Sequence, residues 1–200
     1  MVNSLTRDRI VEKADQLFYE QGFEYTSFAQ IAEAIGISRG NFYYHFKSKD
    51  EILEAVINDR LLRTRSMLND WELQSETPID RIQRFIKILI MNRTKIKRFG
   101  CPVGTLNAEL IKLNHPAKKH AKELFTLFRT WLRQQFEILG RSDDADELAM
   151  HLLAFSQGVA TLASALQDEK FIDSEVNRLS AWLTSITTGT NTQTKVIPVS

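Results

Sequence analysis

Apolar residues recur every three to four positions over most of the 200-residue chain, which is the period of an α-helix. The first such segment places four apolar side chains on one helical face, namely Ile10, Ala14, Leu17 and Phe18. Gly22 follows this segment as a helix stop. Strict alternation of apolar and polar residues, the period of a strand, does not persist along the sequence. The pattern therefore predicts an all-α protein.

The residues that punctuate these segments predict about nine helices. Ser27, Ser38 and Ser48 each stand where a serine caps the start of a helix. Glu51 follows Ser48 by three positions, as a capping box requires, and Thr77 precedes a proline at a first helical position. The predicted helices cover about residues 6–21, 28–35, 39–44, 49–71, 78–98, 103–113, 117–139, 143–167 and 174–186.

The division of the chain into domains is predicted to fall at the start of the long fourth helix. No stretch rich in glycine, serine or proline separates the two halves, so a flexible linker is not expected. We place an N-terminal domain of three short helices over residues 1–48 and a helical C-terminal domain over residues 49–188. Residues 189–200 are polar and without pattern, and they are predicted to form a flexible tail.

Composition points to an ordinary water-soluble protein, with 43% hydrophobic and 26% charged residues. Cys101 is the single cysteine, so an intrachain disulfide is excluded and a reducing compartment is expected. The longest purely apolar run, residues 88–91, is far too short to span a membrane, and the N-terminus does not resemble a signal peptide. We predict a cytoplasmic protein without a metal, a cofactor or a membrane partner.

Charge is unevenly distributed in the N-terminal region. The whole chain has a formal net charge of +1, and its first sixty residues hold seven basic and ten acidic side chains. Residues 34–49 nevertheless contain no acid, and this window includes Arg39, His45, Lys47 and Lys49. The window is a local basic segment in an otherwise acidic region, which weakly indicates a contact with phosphate.

Residues 28–38 have the sequence pattern of a helix-turn-helix. Ala32 is small enough for two helices to approach closely, Gly36 permits the positive φ that ends the first helix, and Ile37 can anchor the turn in the core. The next helix would then lie in the major groove of DNA, with its N-terminal residues facing base edges or phosphates. The same pattern also fits a plain three-helix core without a DNA-binding role.

The segment Thr26–Leu53 resembles the DNA-binding signature of the TetR family, above all in the run Phe-Tyr-Tyr-His-Phe-Lys-Ser-Lys at residues 42–49. The resemblance covers about residues 6–55. It implies an all-helical homodimer with an N-terminal DNA-binding domain and a C-terminal domain for ligand binding and dimerisation. It implies phosphate contacts by Thr26, Tyr43, Tyr44, His45 and Lys49, base contacts by Ser38, Arg39, Gly40 and Asn41, and inward packing of Phe42 and Phe46. Ser27 and Lys47 complete the predicted DNA-binding set.

The predicted helix over residues 143–167 is rich in small side chains that let another helix pack closely. Together with the last helix it could form a two-fold four-helix interface, or these faces could pack within one monomer. The predicted dimer interface consists of Phe155, Gly158, Val159, Leu162, Leu166, Leu179, Trp182 and Leu183.

A ligand pocket is predicted among the middle helices, although apolar aromatic positions are also typical of an ordinary core. The candidate lining residues are Phe85, Leu89, Phe99, Cys101, Phe125, Phe128, Trp131, His151 and Phe155. Cys101 lies in a turn that enters a helix, a position that can make a thiol reactive. It is therefore a candidate sensor of electrophiles or oxidants; the alternative is a small buried apolar side chain.

These features together predict a DNA-binding transcriptional regulator. Its expected partners are double-stranded operator DNA, a second copy of the chain and a small-molecule effector, with electrophiles as one effector class. One alternative is a helix-turn-helix regulator without a small effector, and another is a ligand-binding protein or enzyme on a helical scaffold. The sequence holds no glycine-rich phosphate loop and no nucleophile elbow, and Glu147 and His151 form an i, i+4 pair without a third metal ligand.

Overall fold

The computed structural model describes residues 2–188 and the side chains of residues 5–187, so the predicted tail at residues 189–200 lies outside the described residues. Every regular element in the described range is an α-helix, which confirms the predicted fold class. The helices are α1 (Val2–Gln21), α2 (Phe28–Ile35), α3 (Arg39–His45), α4 (Lys49–Gln74), α5 (Pro78–Met91), α6 (Arg93–Phe99), α7 (Pro102–Lys112), α8 (Lys118–Ile138), α9 (Ala145–Leu166) and α10 (Glu169–Thr188).

The single helix predicted over residues 78–98 is two helices in the structure, and Asn92 separates them. The Asn92 side-chain Nδ2 donates to the carbonyl oxygen of Ile88 at 2.9 Å, and its backbone φ and ψ are −111° and 11°. An asparagine side chain that bonds the preceding turn competes with the helical backbone. The apolar period continues across the break, which is why the pattern alone did not indicate it.

The last helix begins at Glu169, five residues before the start that the sequence predicts. Asp168 explains the earlier start, because its Oδ1 accepts hydrogen bonds from the backbone amides of Lys170 at 2.9 Å and Phe171 at 3.2 Å. A carboxylate in this position satisfies amides that have no partner inside the helix.

The first compact unit consists of the chain up to residue 70 together with residues 99–129. It contains α1–α3, most of α4, all of α7 and the first half of α8. In its core, α1 packs against α2 and α7. Large side chains that are fully buried there include Ile10, Ile31, Phe42, Phe46, Ile52, Leu53, Ile57, Leu110 and Leu124. Each such side chain stabilises the fold by about 1.5–3 kcal/mol through its removal from water.

Among the described residues, the second compact unit consists of residues 71–98 and 130–188. In it, α10 packs against both α5 and α9, and α5 also contacts α9. Trp71 and Trp131 meet edge to face with ring centroids 5.7 Å apart, and the Trp131 indole donates to the carboxylate of Glu72 at 2.7 Å. Its core includes Ile82, Ile86, Leu132, Phe136, Leu152, Ile172 and Leu183.

Within the described residues, α9 is the single helix long and apolar enough to cross a membrane by length and composition, with a mean hydropathy of 1.3 in its most apolar window. Eight of its residues are buried inside the second unit. A helix with a buried apolar stripe is typical of a packed core. The length and hydropathy of α9 are therefore weak evidence for a membrane span.

Candidate nucleic-acid interface

The start of α2 is fixed by a capping box. The Ser27 hydroxyl oxygen accepts from the amide of Gln30 at 3.3 Å, and the Gln30 side-chain oxygen accepts from the amide of Ser27 at 2.7 Å. This reciprocal pair satisfies two amides that the helix itself leaves without partners. The serine predicted to cap α2 therefore caps it, and it fixes where the helix starts.

The turn between α2 and α3 has the geometry that its sequence predicts. Gly36 adopts a left-handed conformation with φ +70°, and its amide donates to carbonyls in the last turn of α2. The amide of Ile37 donates to the Ala32 carbonyl at 3.1 Å, and Arg9 of α1 donates to the Ile35 carbonyl at 3.1 Å. These bonds close the end of α2 and direct the chain into α3.

One face of α3 is anchored in the core of the first unit. Phe42 and Phe46 are 1% and 2% exposed, which confirms their predicted inward packing. The Phe42 ring meets the edge of Phe28 at 5.1 Å, and the guanidinium of Arg7 lies 4.8 Å above the Phe46 ring. The helix is therefore held by its aromatic side, and its opposite side faces outward.

The structure places most of the predicted DNA-binding residues on this outward side and around it. Ser38 caps α3, because its hydroxyl accepts from the Asn41 amide at 3.3 Å. His45 and Lys49 are half-buried, and Thr26 is buried. The exposed members of the set are Ser27, Ser38, Arg39, Gly40, Asn41, Tyr43, Tyr44 and Lys47.

Thr26 is the member of the set that the structure holds away from the surface. It is 1% exposed, and its hydroxyl donates to the Gly22 carbonyl at 2.7 Å and accepts from the Gln21 side chain at 3.2 Å. This hydroxyl ties together the end of α1 and the loop that follows it. A phosphate contact by Thr26 stays a prediction from the family resemblance.

Lys49, at the start of α4, reaches back to the loop between α1 and α2. Its ammonium donates to the carbonyls of Phe23 at 3.0 Å and Glu24 at 3.1 Å, and it lies 4.3 Å from the centre of the Phe23 ring. An ammonium group has three donors, so one N–H remains for a further acceptor such as a phosphate. The loop carbonyls thus fix the position of the lysine that the resemblance assigns to the DNA backbone.

The start of α4 is also capped as its sequence predicts, with one difference. The Ser48 hydroxyl accepts from the Glu51 amide at 3.1 Å. The Glu51 carboxylate accepts from the amide of Lys47 at 2.7 Å, one residue before the position expected for a capping box. Lys47 also donates through its ammonium to the Tyr43 carbonyl, which holds the end of α3.

Glu109 of α7 contacts the same loop, and the sequence alone does not predict this role. Its two carboxylate oxygens accept from the amides of Phe23 and Glu24, both at 2.9 Å. Gly22, at φ +93°, leaves room for this carboxylate, because a Cβ there would lie 3.0 Å from Glu109 Oε1. The partners are more than eighty residues apart in the chain, and no local pattern marks such a contact.

The turn before α7 is bonded to α1 and α4 within the first unit. The Tyr19 hydroxyl donates to the Gly100 carbonyl at 2.7 Å, and Arg60, paired with Asp15 at 2.6 Å, donates to the Pro102 carbonyl at 2.6 Å. Cys101 lies between them as the N-cap of α7, and its sulfur accepts from the Gly104 amide at 3.5 Å. Burial raises the pKa of Tyr19 to about 12; electrostatic interaction with Cys101 adds to this effect, and Arg60 opposes it.

The predicted ligand-lining residues are divided between the two units. Phe99, Cys101, Phe125 and Phe128 belong to the first unit, and Phe85, Leu89, Trp131, His151 and Phe155 belong to the second. Phe85, Leu89, Phe128 and Trp131 are buried, whereas His151 is exposed and lies 4.8 Å from the Trp182 ring. A surface cavity of about 480 Å³ in the second unit is lined by other residues, including Glu72, Arg81 and Gln135. The effector pocket stays a prediction.

The predicted dimer residues fall into two groups in the second unit. Val159, Leu179 and Leu183 are buried within the unit, so their side chains contribute to its core. Gly158, Leu162 and Leu166 lie on an exposed face of α9, and the two leucines are 49% and 66% exposed. Phe155 and Trp182 are half-buried. The exposed group is the part of the prediction that a partner could contact directly.

Two family models match this chain. Residues 10–56, from α1 into α4, match the model described as bacterial regulatory proteins, tetR family. Residues 78–176, from α5 into α10, match the model described as the C-terminal domain of transcriptional regulators like LmrA and YxaF. The first match contains the whole helix-turn-helix and its caps, and the second contains α7 with Cys101 and Glu109.

Known proteins resemble the chain over most of its length. An uncharacterised HTH-type transcriptional regulator of Lactococcus lactis is 28% identical, and the match covers 87% of this chain and 91% of that protein. The transcriptional repressor DhaR of a Mycobacterium species is also 28% identical, over 79% of this chain and 82% of its own. The crystal structure of a TetR regulator from Legionella pneumophila superposes with a TM-score of 0.79 at 26% identity, covering 88% of this chain and 96% of that one.

The capped helix-turn-helix, the outward face of α3, the two family models and the relatives agree with one another. The predicted family, fold class and general function are confirmed. This chain belongs to the TetR family of DNA-binding transcriptional regulators.

Proposed function

We propose that the protein is a homodimeric repressor that leaves its operator when a small molecule acts on its C-terminal domain. The observation that carries the proposal is the outward face of α3, which exposes polar side chains while Phe42 and Phe46 hold the helix in the core. A short helix anchored by one side and polar on the other is suited to the major groove. The name of the relative DhaR, a repressor, supports the direction of regulation.

The chemistry of the exposed residues separates those suited to base contacts from those suited to phosphate contacts. Arg39 and Asn41 carry the side chains that recognise guanine and adenine edges through paired hydrogen bonds. Tyr43, Tyr44 and Lys47 can donate to phosphate oxygens and set the orientation on the duplex. Gly40, without a side chain, leaves space for the close approach of a base or a thymine methyl group.

The experiment is a titration of the purified protein against labelled DNA fragments from around its own gene, at two salt concentrations. We expect one fragment to bind tightly and with two-fold symmetry, and binding to weaken steeply with salt. Asn41→Ala should relax the base preference, whereas Lys47→Ala should weaken all sequences equally and lower the salt slope by about 1. Arg178→Ala, on the exposed surface of α10, is the matched control for lost charge. No preferred fragment here or in a genome-wide selection would refute the proposal.

We propose Cys101 as the sensing residue for one class of effector, electrophiles that react with its thiol. The sulfur caps α7 between the two carbonyls that Tyr19 and Arg60 bind, so an adduct on it would disturb both bonds. With N-ethylmaleimide as probe, the thiolate adds to one alkene carbon and the other carbon takes a proton from water. A single adduct should release the wild-type protein from its operator, and Cys101→Ser should stay bound. An adduct that leaves operator binding unchanged would exclude this effector class.

The exposed stripe on α9 supports the homodimer. Gly158 and Leu162 lie on the same helical face, where a small residue beside an apolar one lets a second helix approach. A two-fold dimer would present two copies of α3 to the two halves of a palindromic operator. A DNA-binding regulator whose cysteine is not in a disulfide also fits the cytoplasm, which is where we place it.

A further inference from the structure

The peptide groups of Phe23 and Glu24, in the loop between α1 and α2, are bound from both sides. Glu109 accepts both amides at 2.9 Å, one with each carboxylate oxygen. Lys49 donates to both carbonyls, at 3.0 Å and 3.1 Å. All four hydrogen bonds involve a charged side chain, and bonds of this kind are stronger than those between neutral groups. The loop therefore links the acid of α7 to the lysine of α4.

This link joins the two parts of the chain that the family models distinguish. Glu109 lies in the segment matched by the C-terminal model, whereas the loop and Lys49 lie in the segment matched by the N-terminal model. All of them belong to the first compact unit. A displacement of α7 would move the carboxylate, and the two amides bound to it would lose their acceptor or follow it.

We propose that Glu109 is a positioning residue that holds the loop and, through the loop carbonyls, sets Lys49 for the operator backbone. The inference rests on the proposed function, because it requires an operator and a phosphate contact by Lys49. With Glu109 in place, the loop carbonyls hold two N–H groups of the lysine and leave the third for a phosphate oxygen. When the Glu109 carboxylate no longer accepts the two loop amides, the loop moves. The Lys49 ammonium then no longer lies where it can donate to a phosphate.

The test asks whether removing the charge of Glu109 strengthens or weakens binding to the operator. Glu109→Gln removes a negative charge, and by simple electrostatics this should strengthen binding to DNA. The proposal predicts the opposite, because the amide NH₂ of glutamine cannot accept a bond from the loop and would face one of its N–H groups. Glu123→Gln, on the exposed face of α8 in the same unit, removes an equal charge without this contact and measures the electrostatic effect alone.

We expect Glu109→Gln to weaken operator binding about tenfold, within the usual range of couplings between sites. The slope of log affinity against log salt should fall by about 1, as it would for a lost phosphate contact. Glu123→Gln should leave binding unchanged or slightly tighter. Unchanged binding by Glu109→Gln, or weaker binding with the full salt slope, would overturn the proposal, since a purely structural role does not remove one phosphate contact.

A double-mutant cycle tests the route through the lysine. In a Lys49→Gln background, Glu109→Gln should change affinity by less than about twofold, because residues that act through one contact are not additive. Additive losses would contradict the inference. If Glu109→Gln does not fold, amide exchange in the wild-type protein decides instead. The amides of Phe23 and Glu24 should exchange slowly with operator bound, and fast exchange there would exclude the link.

Failure of the proposed function has a different signature. In that case the wild-type protein itself would find no operator, and no variant could be compared. In the other case the wild type binds an operator, and this binding is weakened by Lys49→Gln but not by Glu109→Gln. That result would support the proposed regulator and contradict only the role of Glu109.

Discussion

At the scale of single residues, several polar contacts of the first unit join residues more than eighty positions apart in the chain. Tyr19 is an example, because its hydroxyl donates to the Gly100 carbonyl, 81 residues away. Burial raises the pKa of its phenol to about 12, and electrostatic interaction with Cys101 adds to this. The neutral phenol is thus favoured in the folded protein relative to the unfolded chain, where a tyrosine has a pKa of about 10.

The raised pKa of Tyr19 therefore predicts a loss of folding stability at high pH. Its contribution should be fully present below pH 10 and lost as the pH rises from about 10 to about 12, because the unfolded chain releases the proton first. Absorbance of the phenolate should show a step near pH 12 that Tyr19→Phe removes. Tyr25→Phe, at a side chain that is 83% exposed, should keep this step. A wild-type titration without the late step would contradict the prediction.

At the scale of elements, two glycines of the helix-turn-helix allow the effect of backbone conformation on stability to be measured apart from the effect of side-chain packing. A Cβ added at Gly36 or at Gly40 would meet nothing within 4 Å. Gly36 has φ +70° in the turn after α2, whereas Gly40 lies inside α3 with no such φ. An added methyl group has room at both positions. The change in stability on substitution by alanine therefore reflects backbone conformation and not steric conflict.

We expect Gly36→Ala to lower the free energy of unfolding by about 1–2 kcal/mol, since an L side chain is strained in the left-handed region. Gly40→Ala should raise it by about 0.5–1 kcal/mol, because alanine is the better helix former. Urea unfolding of both variants measures the difference. Gly40→Ala should nevertheless bind the operator more weakly, because its methyl group lies on the face predicted to meet the bases. Equal stability effects at the two glycines would show that conformation is not the cause.

At the scale of the whole molecule, the exposed apolar stripe of α9 predicts the oligomeric state. Leu162→Glu together with Leu166→Glu places two charges on this stripe and should convert the dimer to a monomer with unchanged helicity. Met91→Glu, at a residue that is 79% exposed in the second unit, is the matched control and should remain dimeric. Light scattering after gel filtration measures the mass. A double variant that stays dimeric would place the interface elsewhere.

Local sequence accounts for most of the helices and for how several of them start and end. Ser27, Ser38, Ser48 and Thr77 cap the helices that follow them, as their positions predict. The turn at Gly36 also follows from its own residues. The backbone and capping bonds of these features join residues three to five apart, so the local sequence holds most of the information that they need; the bond from Arg9 to Ile35 is the long-range addition.

Helix packing decides which of the predicted site residues are on the surface and which distant residues bind them. An apolar period shows that Val159 and Leu162 belong to a helix, but not that Val159 is buried and Leu162 is half exposed. The burial of Thr26 and the bonds from Glu109 and Lys49 to one loop depend on how helices pack across the first unit. Such contacts join residues 25 or more positions apart, and a local pattern specifies a face of a helix without specifying what covers it.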